Sequence, residues 1–289
     1  ISKAELLEAS FIATGHFAKL SLPQNNKSIK VLSSNDLAHD QCDFLTKVKN
    51  SSFKKLKLPL ADMRKLEVRK VASTLGFNVL GEKLSWGETV KNKNFGTFIR
   101  KRLPASMIKK GQVIDYVNDA YLFDHQGIHN FYIGQNKIKN ENAIGLDPEL
   151  MIADIHYSSG TIIVIKPDKL NCEKVIIKSL CYESDEDISK PCYVYLKRCD
   201  YGERYRGLLS IKNNGFAEFT FDNPQKIVLF RGESVTLLSH EGEGARIYGS
   251  GEVVVAGNVL EGKIKKFPQR EEDIIEGEQV EKKVSDFLY

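Results

Sequence analysis

SFIATGHFAK, residues 10–19, decides how this chain is read. Phe11, Ile12 and Ala13 form a short apolar run that breaks into Thr14-Gly15-His16, the pattern of a buried parallel strand ending on a loop. In open α/β sheets, ligands sit beyond the carboxyl ends of the strands. There Gly15 lets a backbone approach a ligand, Thr14 offers a hydroxyl, and His16 offers a ring donor toward a phosphate or a base. By themselves these residues also fit a plain strand-to-loop turn with an exposed histidine, so the choice rests on the motifs further along the chain.

Residues 4–9 read as a helix leading into the strand, and Asn25-Asn26 as the turn of a hairpin between 18–22 and 28–32. HDQCDFL, residues 39–45, lies in a stretch, 36–48, that reads as helical toward its C-terminal end. Asp62 has the chemistry of an N-cap for a helix in which Val68, Val71, Ala72 and Leu75 recur at i, i+3, i+4 and i+7, and which Gly76 closes. That period turns Arg64, Lys65, Arg69 and Lys70 toward solvent, and a strand at 78–80 completes an α/β region. From Asn94 the character changes. Phe95, Phe98, Ile99 and Leu103 form a short amphipathic helix stopped by Pro104. Beyond it come short alternating runs between Gly, Asn and Asp: 111–117 and 120–123 around Asn118-Asp119, then 160–167, 192–198, 206–212, 215–221, 226–230, 234–239 and 251–257. Short strands at such spacing predict a small β-barrel. Residues 263–289 are charged and weakly periodic, a tail with one helix over 278–288.

With 289 residues the chain has room for one large domain or two to three small ones, and its 42% hydrophobic and 28% charged content is ordinary for a globular protein. No apolar run approaches the roughly 20 residues of a transmembrane helix, and ISKAELLEAS has no signal-peptide pattern. The expectation is a cytoplasmic protein without membrane contact. Cys42, Cys172, Cys181, Cys192 and Cys199 form no CxxC pair, which argues against a disulfide framework and against a zinc or other metal site. The net charge of +4 conceals an asymmetry. Residues 1–110 hold 21 Lys and Arg against 9 Asp and Glu, and the remainder holds 21 against 29. A basic first part, with runs such as Lys54-Lys55-Lys57 and Arg100-Lys101-Arg102, is the footprint of a phosphate-backbone binder; a solvated lysine surface is the alternative.

Taken together and in order, the motifs resemble the tRNA-specific 2-thiouridylase family. ATGHFA is similar to the family's ATGHYA, HDQCDFL to its KDQSYFL, and LPLADMRKLEVRKVASTLGF to a segment of pattern P-L-x-x-x-x-K-x-x-V-R-x-x-A-x-x-x-G. FGTFIRKRLP, DHQGIHNFYIGQNK and FDNP continue the match to about residue 257. The resemblance implies an α/β plus β fold. Residues 1–90 are then the C-terminal part of an incomplete parallel α/β nucleotide-binding domain of the PP-loop ATP-pyrophosphatase type, and 91–167 a small central α+β domain. Residues 168–257 are a β-barrel and 258–289 the tail. Uncovered apolar surface is expected where the missing strands of the first domain would pack. The implied chemistry is ATP-dependent 2-thiolation of the tRNA wobble uridine, with a sulfur-relay protein as partner. Carried over, the family's nucleotide contact falls on Gly15. Its tRNA contacts fall on His16, His39, Asp40, Gln41, Arg198, Cys199 and Glu233.

The departures cluster on chemistry. No SGGxDS loop occurs in the sequence, and Thr89 stands where the persulfide cysteine belongs; a hydroxyl cannot replace a thiol there. His39 replaces a lysine, Cys199 an aromatic residue, and Glu233 a glutamine, putting a carboxylate where an RNA phosphate is expected. Cys42, beside Asp40-Gln41, is a candidate stand-in sulfur carrier against the commoner reading of a small buried residue. His125 is a candidate acid or base against a structural role in a hairpin. Two readings stand. One is a family member whose ATP chemistry, including the phosphate loop, is completed by a separate or preceding N-terminal polypeptide. The other is a degenerate, non-catalytic relative kept as an RNA-binding or partner-binding module. In both, this chain by itself is expected neither to bind ATP nor to catalyse the reaction.

Overall fold

The apolar run at the start of the chain forms a short strand, β1 (Ile12–Ala13), after the helix α1 (Ser2–Leu6). Two further short strands, β2 (Lys19–Leu20) and β3 (Val31–Leu32), pair antiparallel as the predicted hairpin, and β4 (Leu56–Lys57) pairs in parallel with β1. The computed structural model describes residues 2–21, 28–77, 95–136, 138, 146–182, 190–198, 203–212, 215–229 and 232–258. The predicted strand at 78–80, the tail helix and Thr89 lie outside the described residues.

The chain divides into two units. Ile1–Glu82, Cys172–Gln225 and Leu229–Gly257 make the first; Lys83–Asn171, Lys226–Val228 and Asn258–Tyr289 make the second. In the first, the stretch 36–48 is not one helix. It folds as two 3-10 turns, Leu37–His39 and Cys42–Leu45, after the short helix-free segment that carries Ser33 and Ser34. Next come α2 (Asn50–Phe53) and α3 (Lys65–Thr74). Asp62 does not cap α3 but pairs with Lys19 at 2.7 Å. The helix start is held instead by Glu67, whose carboxylate accepts the Arg64 N–H, and by Asp36, which accepts the Lys65 N–H. The C-terminal end is a Schellman turn: Gly76 has φ +78, its N–H reaches the Ser73 carbonyl, and the Phe77 N–H reaches that of Ala72.

The apolar stripe of α3, legible in the sequence, is only partly covered: Val68 and Ala72 are half-buried, while Val71 and Leu75 are exposed. No residue of α1 or α3 is buried, and Leu6, Leu66, Val71, Leu75 and Phe77 are all exposed, Leu75 by 69%. Among the described residues β1 and β4 form a sheet of only two strands, which offers a narrow face for helices to cover. The core of this part lies elsewhere, in Ala18, Ile29, Val31, Cys42, Leu45 and Phe53 packed on Leu238 and Ala245.

Those last two residues belong to the barrel region. β9 (Cys172–Tyr182), β10 (Cys192–Arg198), β11 (Arg204–Ile211), β12 (Phe216–Gln225), β13 (Ser234–Leu238) and β14 (Ile247–Asn258) close in the order β10-β11-β12-β9-β14-β13. Closure leaves no free edge. Alternation along β12 buries Ala217, Phe219 and Phe221, and the two phenylalanine rings meet edge to face at 5.0 Å. β9 has no clean alternation to announce it, because Val175, Ile176 and Ile177 are buried in succession. The run at 226–229 is not a strand; Lys226–Val228 belong to the second unit, where Val228 packs with Ile165 and Leu170.

The second unit holds α4 (Phe95–Arg100) and a four-stranded sheet. Its strands are β5 (Gly111–Asp115), β6 (Tyr121–His125), β7 (Met151–His156) and β8 (Thr161–Ile165), in the order β6-β5-β8-β7. β5 and β6 form the predicted hairpin around Asn118-Asp119, and β5 runs parallel to β8. Their buried face is Val113, Phe123, Ile152, Ile155, Ile162 and Val164.

His125 occupies the structural place in this hairpin. Its Nε2–H donates to the Gly160 carbonyl at 2.7 Å, and its Nδ1 accepts the Gly127 N–H at 3.1 Å. Both ring nitrogens are satisfied only in the neutral form, and burial holds its pKa below the ordinary histidine value. The folded state therefore binds fewer protons than the unfolded chain. The stabilisation is present in full above the unfolded pKa near 6.5 and is lost as pH falls below it toward the folded value. Denaturant unfolding of wild type and His125→Gln between pH 7.5 and 5.5 should show a steeper loss in the wild type, by up to about 1.4 kcal/mol per pH unit. Parallel curves would refute the assignment.

Candidate nucleic-acid interface

The loop after β1 and the 3-10 turns at 37–45 come together in the first unit. Gln41 joins them reciprocally: its N–H donates to the Phe17 carbonyl at 2.8 Å, and its Oε1 accepts the Phe17 N–H at 3.1 Å. The His16 ring is bonded to Thr14 Oγ1 at 3.0 Å and lies 6.1 Å from the ring of Phe44. His39 is exposed; its Nδ1 lies 3.0 Å from both Asp36 oxygens and its ring packs on Phe17. The Asp36 carboxyl is held below its ordinary value, because burial pushes it up but the Lys65 and His39 hydrogen bonds outweigh that. Gly15, His39 and Phe44 are exposed together, so this surface offers imidazole and aromatic faces for stacking and hydrogen bonding to a base.

Asp40 stands differently. Its side chain is fully buried, and its Oδ1 accepts the N–H groups of Ser34 and Cys42. Its Oδ2 accepts Arg204 Nη2 at 2.9 Å and the Cys42 thiol at 3.1 Å. The thiol of Cys42 is consequently pushed well above its ordinary pKa, by burial first and by the Asp40 carboxylate second. A buried protonated thiol is a poor nucleophile, so Cys42 does not meet the needs of a sulfur carrier. Cys172 is likewise pushed up to about 12 by burial.

Arg198 and Glu233 meet each other. Arg198 Nε donates to Glu233 Oε1 at 2.6 Å with both side chains largely buried. The carboxylate set by sequence against an RNA phosphate thus neutralises a neighbouring guanidinium. Cys199 lies outside the described residues. The structure brings together Gly15, His16, His39, Asp40 and Gln41, with Arg198 and Glu233 forming a pair of their own.

Three residues that sequence reasoning passed over complete the arrangement: Asp43, Lys197 and Arg204. Lys197 Nζ donates to Asp43 Oδ1 at 2.6 Å, with each side chain 1% exposed. Arg204 donates to Asp40 and to the Glu241 and Gly242 carbonyls. A signal for Lys197 existed. Successive residues of a strand face opposite ways, so Lys197-Arg198 sends one charge to the side of Tyr195 and the other to that of Leu196, and neither side is bare solvent.

A nucleotide triphosphate needs several backbone N–H groups converging at a glycine-rich turn or helix start. Around Gly15 the Thr14 N–H is held by the Lys57 carbonyl and the Phe17 N–H by Gln41. A Cβ on Gly15 would stand 3.7 Å from Leu60, an ordinary contact, so packing does not demand glycine there. Two of the N–H groups flanking Gly15-His16 are therefore already engaged within the protein.

An α/β segment of nucleotide-binding type joined to a closed six-stranded barrel defines the class. Residues 1–87 match the model of the tRNA methyl transferase HUP domain. Over 266 residues the chain is 24% identical to the tRNA-specific 2-thiouridylase MnmA 2 of Caldanaerobacter subterraneus, covering 92% of this chain and 68% of that protein. It is 27% identical over 209 residues to MnmA 2 of Syntrophus aciditrophicus, 72% of this chain and 59% of the relative. To the MnmA of Malacoplasma penetrans it is 34% identical over 134 residues, 46% of this chain and 35% of that one. The matched domain model and these relatives together support membership of the tRNA-specific 2-thiouridylase family. The chain spans between about a third and two thirds of the length of these relatives.

Because Glu233 is buried against Arg198, restoring the family's glutamine should not relieve repulsion of an RNA phosphate. Glu233→Gln removes the charge that compensates Arg198, at a cost on the order of 3 kcal/mol. Denaturant melts should show the loss, with no gain in RNA affinity. A variant as stable as wild type that binds RNA more tightly would return Glu233 to the surface role.

Proposed function

We propose that this chain holds tRNA for wobble-uridine 2-thiolation, in the cytoplasm, while residues outside this sequence supply the phosphate loop and the persulfide cysteine. The observation that carries the reading is the cluster of Gly15, His16, His39 and Phe44 on one surface, of which the resemblance implies a nucleotide contact at Gly15 and tRNA contacts at His16 and His39. The basic balance of residues 1–110 supports it, since a phosphate backbone would be drawn to that part. The exposed part of the apolar stripe of α3, with Leu6 of α1, suits packing against the rest of a nucleotide-binding sheet, supplied by a longer form of this polypeptide or by a separate one. A sulfur-relay protein would then load the completed enzyme.

A second reading, a non-catalytic module that binds RNA or a protein partner, is favoured by Thr89 at the persulfide position and by the buried thiols of Cys42 and Cys172. Both readings require RNA contact or a partner, and a binding measurement tests the RNA contact they share. Filter binding of tRNA across a salt series should give log K falling with log salt at about 0.9 per neutralised phosphate. Reversing Arg100, Lys101 and Arg102 should weaken binding with little dependence on tRNA sequence. A wild type that does not bind tRNA at low salt leaves only the partner-binding reading.

For ATP the expectation is negative. With the Thr14 and Phe17 N–H groups engaged internally, titration calorimetry on this polypeptide should find no affinity tighter than about millimolar, roughly 4 kcal/mol. Micromolar binding would mean that a phosphate cradle forms elsewhere in the polypeptide.

A further inference from the structure

We propose that Arg204 and Lys197, two barrel residues, are positioning residues for the RNA-facing loop. They act through Asp40 and Asp43, and the RNA-affinity arm of the inference rests on the tRNA-binding reading above. The motif HDQCDFL alternates residues with two fates. His39 and Phe44 face outward, and Gln41 binds the backbone of the preceding loop. Asp40 and Asp43 point into the unit and end on the barrel. Their partners sit on adjacent strands, Lys197 on β10 and Arg204 at the start of β11, where the two residues are directly paired in the antiparallel register.

Each carboxylate is therefore fixed by a barrel cation. Asp40 receives Arg204 on one oxygen and the Ser34 and Cys42 N–H groups on the other, so it clamps the backbone on both sides of the turn. Arg204 is in turn immobilised by the carbonyls of Glu241 and Gly242, and Gly242 also receives the Ser33 hydroxyl. The outward angle of His39 and the seat of Gln41 on Phe17 depend on where Asp40 is held. Neither cation is placed to touch RNA: Lys197 and Arg204 are 1% and 4% exposed. Buried ion pairs seldom add net stability over apolar residues of the same volume, but losing one partner strands a charge. Register and orientation are what such a pair contributes, and the loop it orients here is the one that carries the surface cluster.

The test is a pair of mutant cycles read by two methods. In the first cycle, Arg204→Gln strands the Asp40 carboxylate, while Arg204→Gln with Asp40→Asn leaves two amides and no stray charge. In the second, Lys197→Met strands Asp43, while Lys197→Met with Asp43→Leu leaves an apolar contact. Imidazole NMR signals of His16 and His39 should shift in each single variant and return toward wild type in each double variant. Those of His125, His129 and His156, in the second unit, should stay in place. Affinity of the folded protein for tRNA should fall about tenfold in the singles and recover in the doubles, a coupling typical of residues in one network. If a single variant does not fold, the other cycle decides. Folded single variants with unmoved His16 and His39 signals and wild-type affinity overturn the inference. A wild type without tRNA affinity overturns the functional reading alone, and the NMR cycles then decide the positioning role.

Discussion

Two ion pairs with almost no exposure, Asp40–Arg204 and Asp43–Lys197, fasten the 3-10 turns of the N-terminal part to the barrel. Around them the apolar cluster of Ala18, Ile29, Val31, Cys42, Leu45, Phe53, Leu238 and Ala245 draws on both parts. The charges cannot be separated without leaving one of them in a low-dielectric interior, which costs several kcal/mol per ion. Hydrophobic contact alone tolerates sliding and repacking. The carboxylate geometry does not, since Asp40 has its oxygens divided between a guanidinium, a thiol and two backbone N–H groups.

This constraint explains how a narrow parallel sheet persists. β1 and β4 contribute little by themselves, and α1 and α3 bury none of their residues. The N-terminal part is held at its other side, on the barrel, and presents the exposed part of its apolar stripe outward. The surface formed by Gly15, His16, His39 and Phe44 therefore rests on a closed barrel rather than on the sheet from which its loop emerges. The barrel has no edge to fray, so the loop inherits a rigid support.

The thiols obey the same logic. Cys42 lies inside the polar network, donating to Asp40, and its burial beside a carboxylate removes the electropositive setting that a reactive cysteine needs. The interior of this unit is arranged for fixing backbone, and the groups left for recognition are imidazole, amide and aromatic.

Local sequence was sufficient for the elements whose signal is periodic or covalent. The apolar run before Thr14-Gly15-His16 marked β1, Asn118-Asp119 marked the turn between β5 and β6, and Gly76 ended α3 because a left-handed residue closes that turn. Cys192–Arg198 was legible to the residue, and the alternating runs between turn residues announced a barrel. What tertiary structure alone decided is which polar groups face inward. Asp40, Arg198 and Glu233 read from sequence as surface contacts, because a charged residue is solvated unless a counter-charge reaches it. Their partners lie 164 positions away for Asp40 and 35 apart for Arg198 and Glu233, distances over which local periodicity carries no information. The barrel brings Arg198 to Glu233 and packing of the N-terminal part on the barrel brings Asp40 to Arg204, each within 3 Å, and a buried charge is tolerable only with such a partner in place.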